Sequence, residues 1–155
     1  MRRQPEFRAA YGDGVGRSFD DLIAEAAQAD VSGWDFGWLA GRATEQRPSW
    51  GYGRLLADRL GQVQSALDLQ TGGGEVLGAV PAFPPTMAAT ESWPPNLAAA
   101  TRRLHPRGVV VVAQPDDARL PFADASFDLV TSRHPAVVRW DEIARVLRPG
   151  GAYLG

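Results

Sequence analysis

Ala66-Leu67-Asp68-Leu69-Gln70-Thr71-Gly72-Gly73-Gly74 is a short apolar run that closes on an acid and opens into a glycine-rich turn. The run reads as a strand. The glycines let the backbone turn sharply, and Glu75 to Val80 reads as a short helix stopped by Pro81. The same alternation continues downstream. Met87-Ala88-Ala89-Thr90 is a second strand ending at Glu91, and Pro94-Pro95-Asn96 opens a helix through Leu104, with proline where a missing N–H is harmless. Val109-Val110-Val111-Val112 is continuous and β-branched, as a strand buried on both faces should be. Phe127-Asp128-Leu129-Val130-Thr131 is a fourth strand. Trp140, Ile143, Ala144 and Leu147 fall on one helical face, which marks Trp140 as core; Pro149-Gly150-Gly151 ends that helix and Ala152-Tyr153-Leu154 begins a fifth strand. Strand and helix in alternation imply an α/β fold with a doubly wound, mostly parallel sheet and helices on both faces. Ligands of such sheets bind beyond the carboxyl ends of the strands, so functional residues are expected just after each one.

The region ahead of the first strand has a different texture. Residues 1–62 read as an N-terminal helical cap segment and residues 63–155 as the sheet domain. Ser18 precedes Phe19, Leu22, Ile23 and Ala26, which share one helical face, and Asp21 sits where a capping box needs its acid. Trp34, Phe36 and Trp38 follow, then a polar stretch from Gly41 to Pro48, then Trp50. Tyr52, Leu55, Leu56 and Leu60 predict a second helix. Trp34, Trp38 and Trp50 suit either packing or a substrate clamp.

Composition narrows the chemistry. The chain has 155 residues, 45% hydrophobic and 22% charged, with a net charge of −2. That suffices for one compact domain with a core, and gives no electrostatic reason to expect nucleic acid or an anionic membrane. All 16 basic residues are Arg, so Schiff-base chemistry and a Walker-type lysine are excluded. There is no cysteine, which removes disulfides, thiolate catalysis and Cys-ligated metals, and with two histidines no metal site is expected. Met1-Arg2-Arg3-Gln4-Pro5-Glu6-Phe7 has no apolar stretch behind it and no apolar run is long enough to span a bilayer, so a cytoplasmic protein is expected.

Each strand end carries a polar group. The Gly72-Gly74 turn, followed by a helix start, suits either a ligand approaching its N–H groups or a tight connection. Glu91 stands 23 positions after Asp68. An acid about 20 residues beyond a glycine turn suits the two hydroxyls of a ribose, or is a solvated carboxylate at a helix start. Asp116-Asp117-Ala118-Arg119-Leu120-Pro121-Phe122 follows the third strand and suits an adenine amino group and ring nitrogen, or is a polar loop. Ser132-Arg133-His134-Pro135 follows the fourth strand. His134 has the chemistry of a general base and Arg133 that of an anion ligand, while a loop imidazole with only structural bonds is the alternative. His105 falls at the opposite end of the sheet and reads as a surface turn. Trp93, close behind Glu91, is placed to pack beside a ribose or adenine.

Taken in order, Asp68-x-x-x-Gly72-x-Gly74, Glu91, Asp117-Ala118-x-Leu120-Pro121-Phe122, Ser126-Phe127-Asp128-Leu129-Val130 and Arg145-Val146-Leu147-Arg148-Pro149-Gly150-Gly151 resemble the class I S-adenosylmethionine-dependent methyltransferases, nearest the small-molecule "type 11" group. The resemblance covers about residues 63–155. The leader with Trp34, Trp38 and Arg47 to Tyr52 resembles the helical cap of a bacterial branch of the family. The resemblance implies a Rossmann-like sheet, S-adenosylmethionine as cofactor and a small-molecule methyl acceptor as partner. It also implies roles: Gly72 and Gly74 shape the loop under the methionine part, Asp68 sits near its amino group, Glu91 holds the ribose hydroxyls and Asp117 with Ala118 the adenine, and Gln70, Thr71 and Ser92 are counted with them as cofactor-binding. Leu120-Pro121-Phe122 and Phe127 to Val130 are mainly structural. Arg133 and His134 would face the acceptor.

Two departures are visible. The family usually has Gly where Gln70 stands, so its side chain either crowds the cofactor or contacts it. The family's sheet has seven strands, the last antiparallel, whereas this chain reaches a fifth, which makes it a fragment, a truncated frame or a domain without activity. A non-catalytic cofactor-binding domain is therefore one competing reading. A nicotinamide-dependent oxidoreductase is another, though Gly72 and Gly74 are followed by Gly78, four residues on, rather than by the Gly-x-Gly-x-x-Gly spacing.

Overall fold

The structure, a computed structural model, describes residues 17–29, 37–42, 49 and 51–155. Trp34, Phe36, Arg47, Pro48 and Trp50 lie outside the described residues. The chain divides into two units, Met1–Asp30 and Val31–Gly155.

The first unit holds helix α1 (Phe19–Ala27). Its capping box forms as the sequence predicts: the Asp21 N–H donates to Ser18 Oγ at 3.1 Å, and the Ser18 N–H donates to Asp21 Oδ2 at 2.9 Å. Two of the helix's orphan donors are satisfied reciprocally.

The second unit carries α2 (Tyr52–Leu60), β1 (Ser65–Leu69), α3 (Glu75–Gly78), β2 (Thr86–Glu91), α4 (Pro94–Leu104), β3 (Val110–Ala113), β4 (Phe127–Ser132), α5 (Trp140–Val146) and β5 (Leu147–Leu154). The five strands form one sheet in the order β3-β2-β1-β4-β5, with every pairing parallel. The chain starts at the centre, moves out through β2 to β3, then crosses back over β1 to β4. The reversal between β1 and β4 is the switch point at which such sheets open a ligand crevice.

Both faces are covered. On one, Leu56 and Leu60 of α2, Leu77 and Ala100 pack over Ala66, Met87, Ala89 and Leu129. On the other, Ile143 and Val146 of α5 and Leu120 pack over Leu67, Ala88, Phe127 and Val130. Alternate residues of one strand face opposite layers, so every residue of β1 is buried. Asp128 joins the strand starts: its Oδ2 accepts from the Gln64 and Ser65 N–H groups at 3.0 and 2.9 Å, and its Oδ1 accepts from Arg148 at 2.8 Å. The Arg148 guanidinium, together with those N–H groups, holds the Asp128 carboxyl down at about 2.

Three local expectations change. The valine run is not a strand buried on both faces. It is β3, at the sheet edge and, among the described residues, paired only with β2, and Val110 is 59% exposed while Val109, just ahead of the strand, is fully buried. Trp140 is not core: α5 turns Glu142, Ile143 and Val146 inward and leaves Trp140 60% exposed, its ring edge-on to Tyr153 at 5.0 Å. Leu147 leaves the helix and begins β5. That strand bulges over Arg148–Gly151, with Gly150 at φ +83°, before it pairs regularly at Ala152–Leu154.

Candidate functional site

The carboxyl ends of β1, β2 and β4 bring the predicted polar groups to one edge. Asp68 is buried, and Thr131 from β4 donates its hydroxyl to Asp68 Oδ1 at 2.5 Å. Burial is the largest influence on the Asp68 carboxyl and pushes it up to about 6, against the opposing pull of its hydroxyl neighbours. Beyond it the turn runs Gln70, Thr71, Gly72, Gly73, Gly74, with Gly72 at φ +63° and Gly74 at φ +75°. Gly74 has a packing reason as well as a conformational one. A Cβ there would stand 3.0 Å from Leu104 Cδ1 and 3.4 Å from the Ala100 Cα, so α4 presses directly on the turn.

Glu91 turns inward under that loop. Its Oε2 accepts from the buried Gly72 N–H at 2.7 Å, and its Oε1 accepts from the N–H groups of Ser92 at 3.1 Å and Trp93 at 2.9 Å. The glycine turn and the acid at the end of β2 are therefore one structure. A carboxylate offers about four lone-pair directions; with three taken, Glu91 keeps capacity for a further hydroxyl donor. Ser92 donates its hydroxyl to Asp116 Oδ2 at 3.2 Å, which links the β2 end to the loop after β3.

That loop forms the next wall. A cavity is lined by Leu69, Gln70, Thr90, Gln114, Asp116 and Ala118, among others. Asp116 and Ala118 lie on the wall, while the Asp117 carbonyl accepts from Arg139 Nη1 at 2.5 Å. The loop's far half is pinned from α5. Arg145 donates to the Phe122 carbonyl at 2.8 Å, the Leu120 carbonyl at 3.0 Å and Asp124 at 2.8 Å. Glu142 is buried, accepts the Leu120 N–H at 2.7 Å and is paired with Arg145. Arg145 holds the Glu142 carboxyl down at about 2. Sequence reading gave Arg145 no role of its own and passed over Glu142. The signal was there in their i, i+3 spacing on a helix that faces the loop.

The segment after β4 crosses the same edge. Arg133 and His134 are both exposed, and His134 takes a left-handed conformation with φ +55°. The Arg133 guanidinium stands 5.9 Å from the centre of the Tyr52 ring. Tyr52 reaches in from α2 and donates weakly to the Ser132 carbonyl at 3.4 Å, while Ser132 Oγ and the Tyr153 hydroxyl are 2.8 Å apart. Burial, then the nearby Asp68, push the Tyr52 phenol well above its ordinary range. Tyr52 went unremarked in the sequence beyond its helical spacing. Trp93 is 45% exposed behind Glu91, and Trp38, 38% exposed, carries Arg42 over its ring.

The family model described as "Methyltransferase domain" matches residues 67–155, from the start of this cleft to the last strand. The chain belongs to the methyltransferase domain family. S-adenosylmethionine is the methyl donor of that family, and a nicotinamide-dependent oxidoreductase is not what the match describes. Among solved structures, the chain resembles the YcgJ protein from Bacillus subtilis at 23% identity over 66% of this chain and 49% of that one, with a TM-score of 0.55. It resembles a protein assigned as an S-adenosyl-L-methionine-dependent methyltransferase from Methanococcus maripaludis at 20% identity over 66% and 52%, TM-score 0.54. A third match is the complex between the Haloferax volcanii Trm112 methyltransferase activator and its assigned methyltransferase, at 22% identity over 90% and 60%, TM-score 0.55. These likenesses show the fold. The chain spans about half the length of the first two. No curated protein matches it. Among the described residues no helix is long and apolar enough to cross a membrane.

The polar groups at this edge fit the cofactor by their chemistry. The Thr71 hydroxyl is buried next to the Asp68 carboxyl, and Glu91 retains acceptor capacity at the far side of the turn.

Proposed function

We propose that the protein is an S-adenosylmethionine-dependent methyltransferase of a small-molecule acceptor, working in the cytoplasm. One observation carries the cofactor's placement: the 2.7 Å bond between the Gly72 N–H and Glu91, which makes the glycine turn and the β2 acid a single cradle at the sheet's switch point. When bound, the cofactor supplies a methyl group already activated on a sulfonium, so that proximity and in-line alignment are the protein's main tasks.

In this reading the cofactor-binding unit is residues 63–155, preceded by a cap segment of residues 1–62 whose helix α2 lays Leu56 and Leu60 into the core. Asp68 holds the cofactor's amino group, and Gly72, Gly74 and Thr71 form the floor under its methionine part. Glu91 and Ser92 take the ribose. Ala118 and the adjoining acids, Asp116 on the cavity wall and Asp117 behind it, take the adenine. Arg133 and His134 face the acceptor: Arg133 suits an acidic group on it and His134 a proton leaving it.

A thermal-shift comparison tests this. S-adenosylhomocysteine at about a hundred times its Kd should stabilise the protein by about 2.7 kcal/mol, several degrees for a domain of this size, and NAD should leave it unchanged. A shift with NAD and none with S-adenosylhomocysteine would overturn the reading.

A further inference from the structure

Gln70 occupies a left-handed conformation, φ +54°, which a non-glycine residue holds only when its surroundings compel it. The compulsion is visible. Its backbone N–H donates to Thr90 Oγ1 at 3.2 Å, and its carboxamide reaches across to the segment after β4. There Oε1 accepts from the Ala136 N–H at 2.6 Å and, more weakly, from the Val137 N–H at 3.4 Å, while Nε2 donates to the Val137 carbonyl at 2.6 Å. Both ends of the amide are matched, oxygen to donors and nitrogen to an acceptor. Arg139 adds a second tie from the same segment through its bond to the Asp117 carbonyl. Val137 and Arg139 thereby join Leu69, Thr90, Gln114 and Ala118 around the cavity.

We propose that Gln70 is a positioning residue that latches the segment from Arg133 to Arg139 over the cofactor cleft, and that the cofactor enters by displacing this latch. The proposal rests on the reading of the cleft as the S-adenosylmethionine site. It follows from three observations: with the segment down Val137 and Arg139 line the cavity beside Gln70 and Ala118, the ties holding it down come from the cleft's own two walls, and the segment carries Arg133 and His134, which the proposed function turns toward the acceptor. Opening the latch for the cofactor therefore moves the acceptor-facing residues with it. Gln70 then couples the two halves of the site rather than contacting or crowding the cofactor alone.

The test joins stopped-flow binding of S-adenosylhomocysteine to amide hydrogen exchange at Ala136 and Val137. Gln70→Gly removes the latch and relaxes the φ. Gln70→Asn also tolerates the left-handed conformation but is one methylene too short to span, so it controls against a backbone effect. In the wild type, saturating S-adenosylhomocysteine should speed exchange at both amides. In both variants exchange should be fast before ligand is added, and the association rate should rise about tenfold, because the open state no longer has to be waited for. Slower exchange at Ala136 and Val137 on binding, or variants with wild-type association rates, would overturn the latch while leaving the cofactor reading in place. Failure of wild type and variants alike to bind S-adenosylhomocysteine would overturn the cofactor reading, and the latch with it.

Discussion

Replacing Glu91 with alanine separates what this acid does for the fold from what it does for a ligand. In the folded protein the carboxylate is 5% exposed and accepts three backbone N–H groups. The Ser92 and Trp93 donors lie at the exposed start of α4, where water can replace the acid, so their loss is cheap. The Gly72 donor is buried, and leaving it unpaired costs about 1–3 kcal/mol. With the lost charge-assisted bond included, Glu91→Ala should destabilise the unit by about 2–4 kcal/mol, lowering Tm by roughly 10 °C. Binding is a separate quantity. If one ribose hydroxyl uses the remaining lone pair, S-adenosylhomocysteine should bind about ten- to a hundredfold more weakly by isothermal titration well below the variant's Tm. Glu91→Gln, which keeps one acceptor oxygen, should fall between. An unchanged Tm would refute the buried bond to Gly72. A lowered Tm with unchanged affinity would refute the ribose assignment and leave Glu91 as a brace for the turn.

Two further outcomes follow from the same edge of the sheet. Asp68 titrates higher folded, at about 6, than its ordinary 3.8; its contribution to stability is thus full below about pH 4 and is lost as pH rises through 6, so the ligand-free protein should lose stability over that window and Asp68→Asn should flatten the loss in melts from pH 4 to 7. A cationic amino group beside Asp68 favours its ionised form, so S-adenosylhomocysteine affinity should rise with pH through about 6 in the wild type and stay flat in Asp68→Asn. Gly74→Ala meets both a positive φ and Leu104 at 3.0 Å, so it should cost about 1–3 kcal/mol in calorimetry without ligand; an unchanged Tm would show that this glycine serves the ligand alone.

What the sequence disclosed and what it hid divide along a physical line. Pro94 placed the start of α4 and Ser18 with Asp21 placed that of α1, because caps act within a turn of the chain. Glu91 announced itself through its spacing from the glycine turn, because a parallel βαβ unit fixes that distance. Val110 misled, because a β-branched run has the same letters whether its strand is central or at the edge. Strand order is decided by which neighbours remain to pair with it, and that is not local. Trp140 misled for a related reason: α5 buries Glu142 beside Ile143 and Val146, and the acid's partner, the Leu120 N–H, lies on another segment that the helix's own apolar spacing does not show.

Glu142 also changes what the motif at the end of the chain means. By resemblance, Arg145 to Gly151 marks a family. In the folded chain its two arginines each hold a separate part of the sheet's frame. Arg145 ties the Leu120–Asp124 loop to α5 through two carbonyls and Asp124, while Glu142 takes the Leu120 N–H. Arg148 closes on Asp128, which gathers the N–H groups at the entrance to β1. Neither arginine lines the cofactor cleft. Yet the loop that Arg145 pins is the one that presents Asp116 and Ala118, and the strand that Asp128 anchors ends in Asp68 and the glycine turn. The motif therefore stands away from the carboxyl-end residues and braces the two walls to which Gln70 and Arg139 tie the segment after β4.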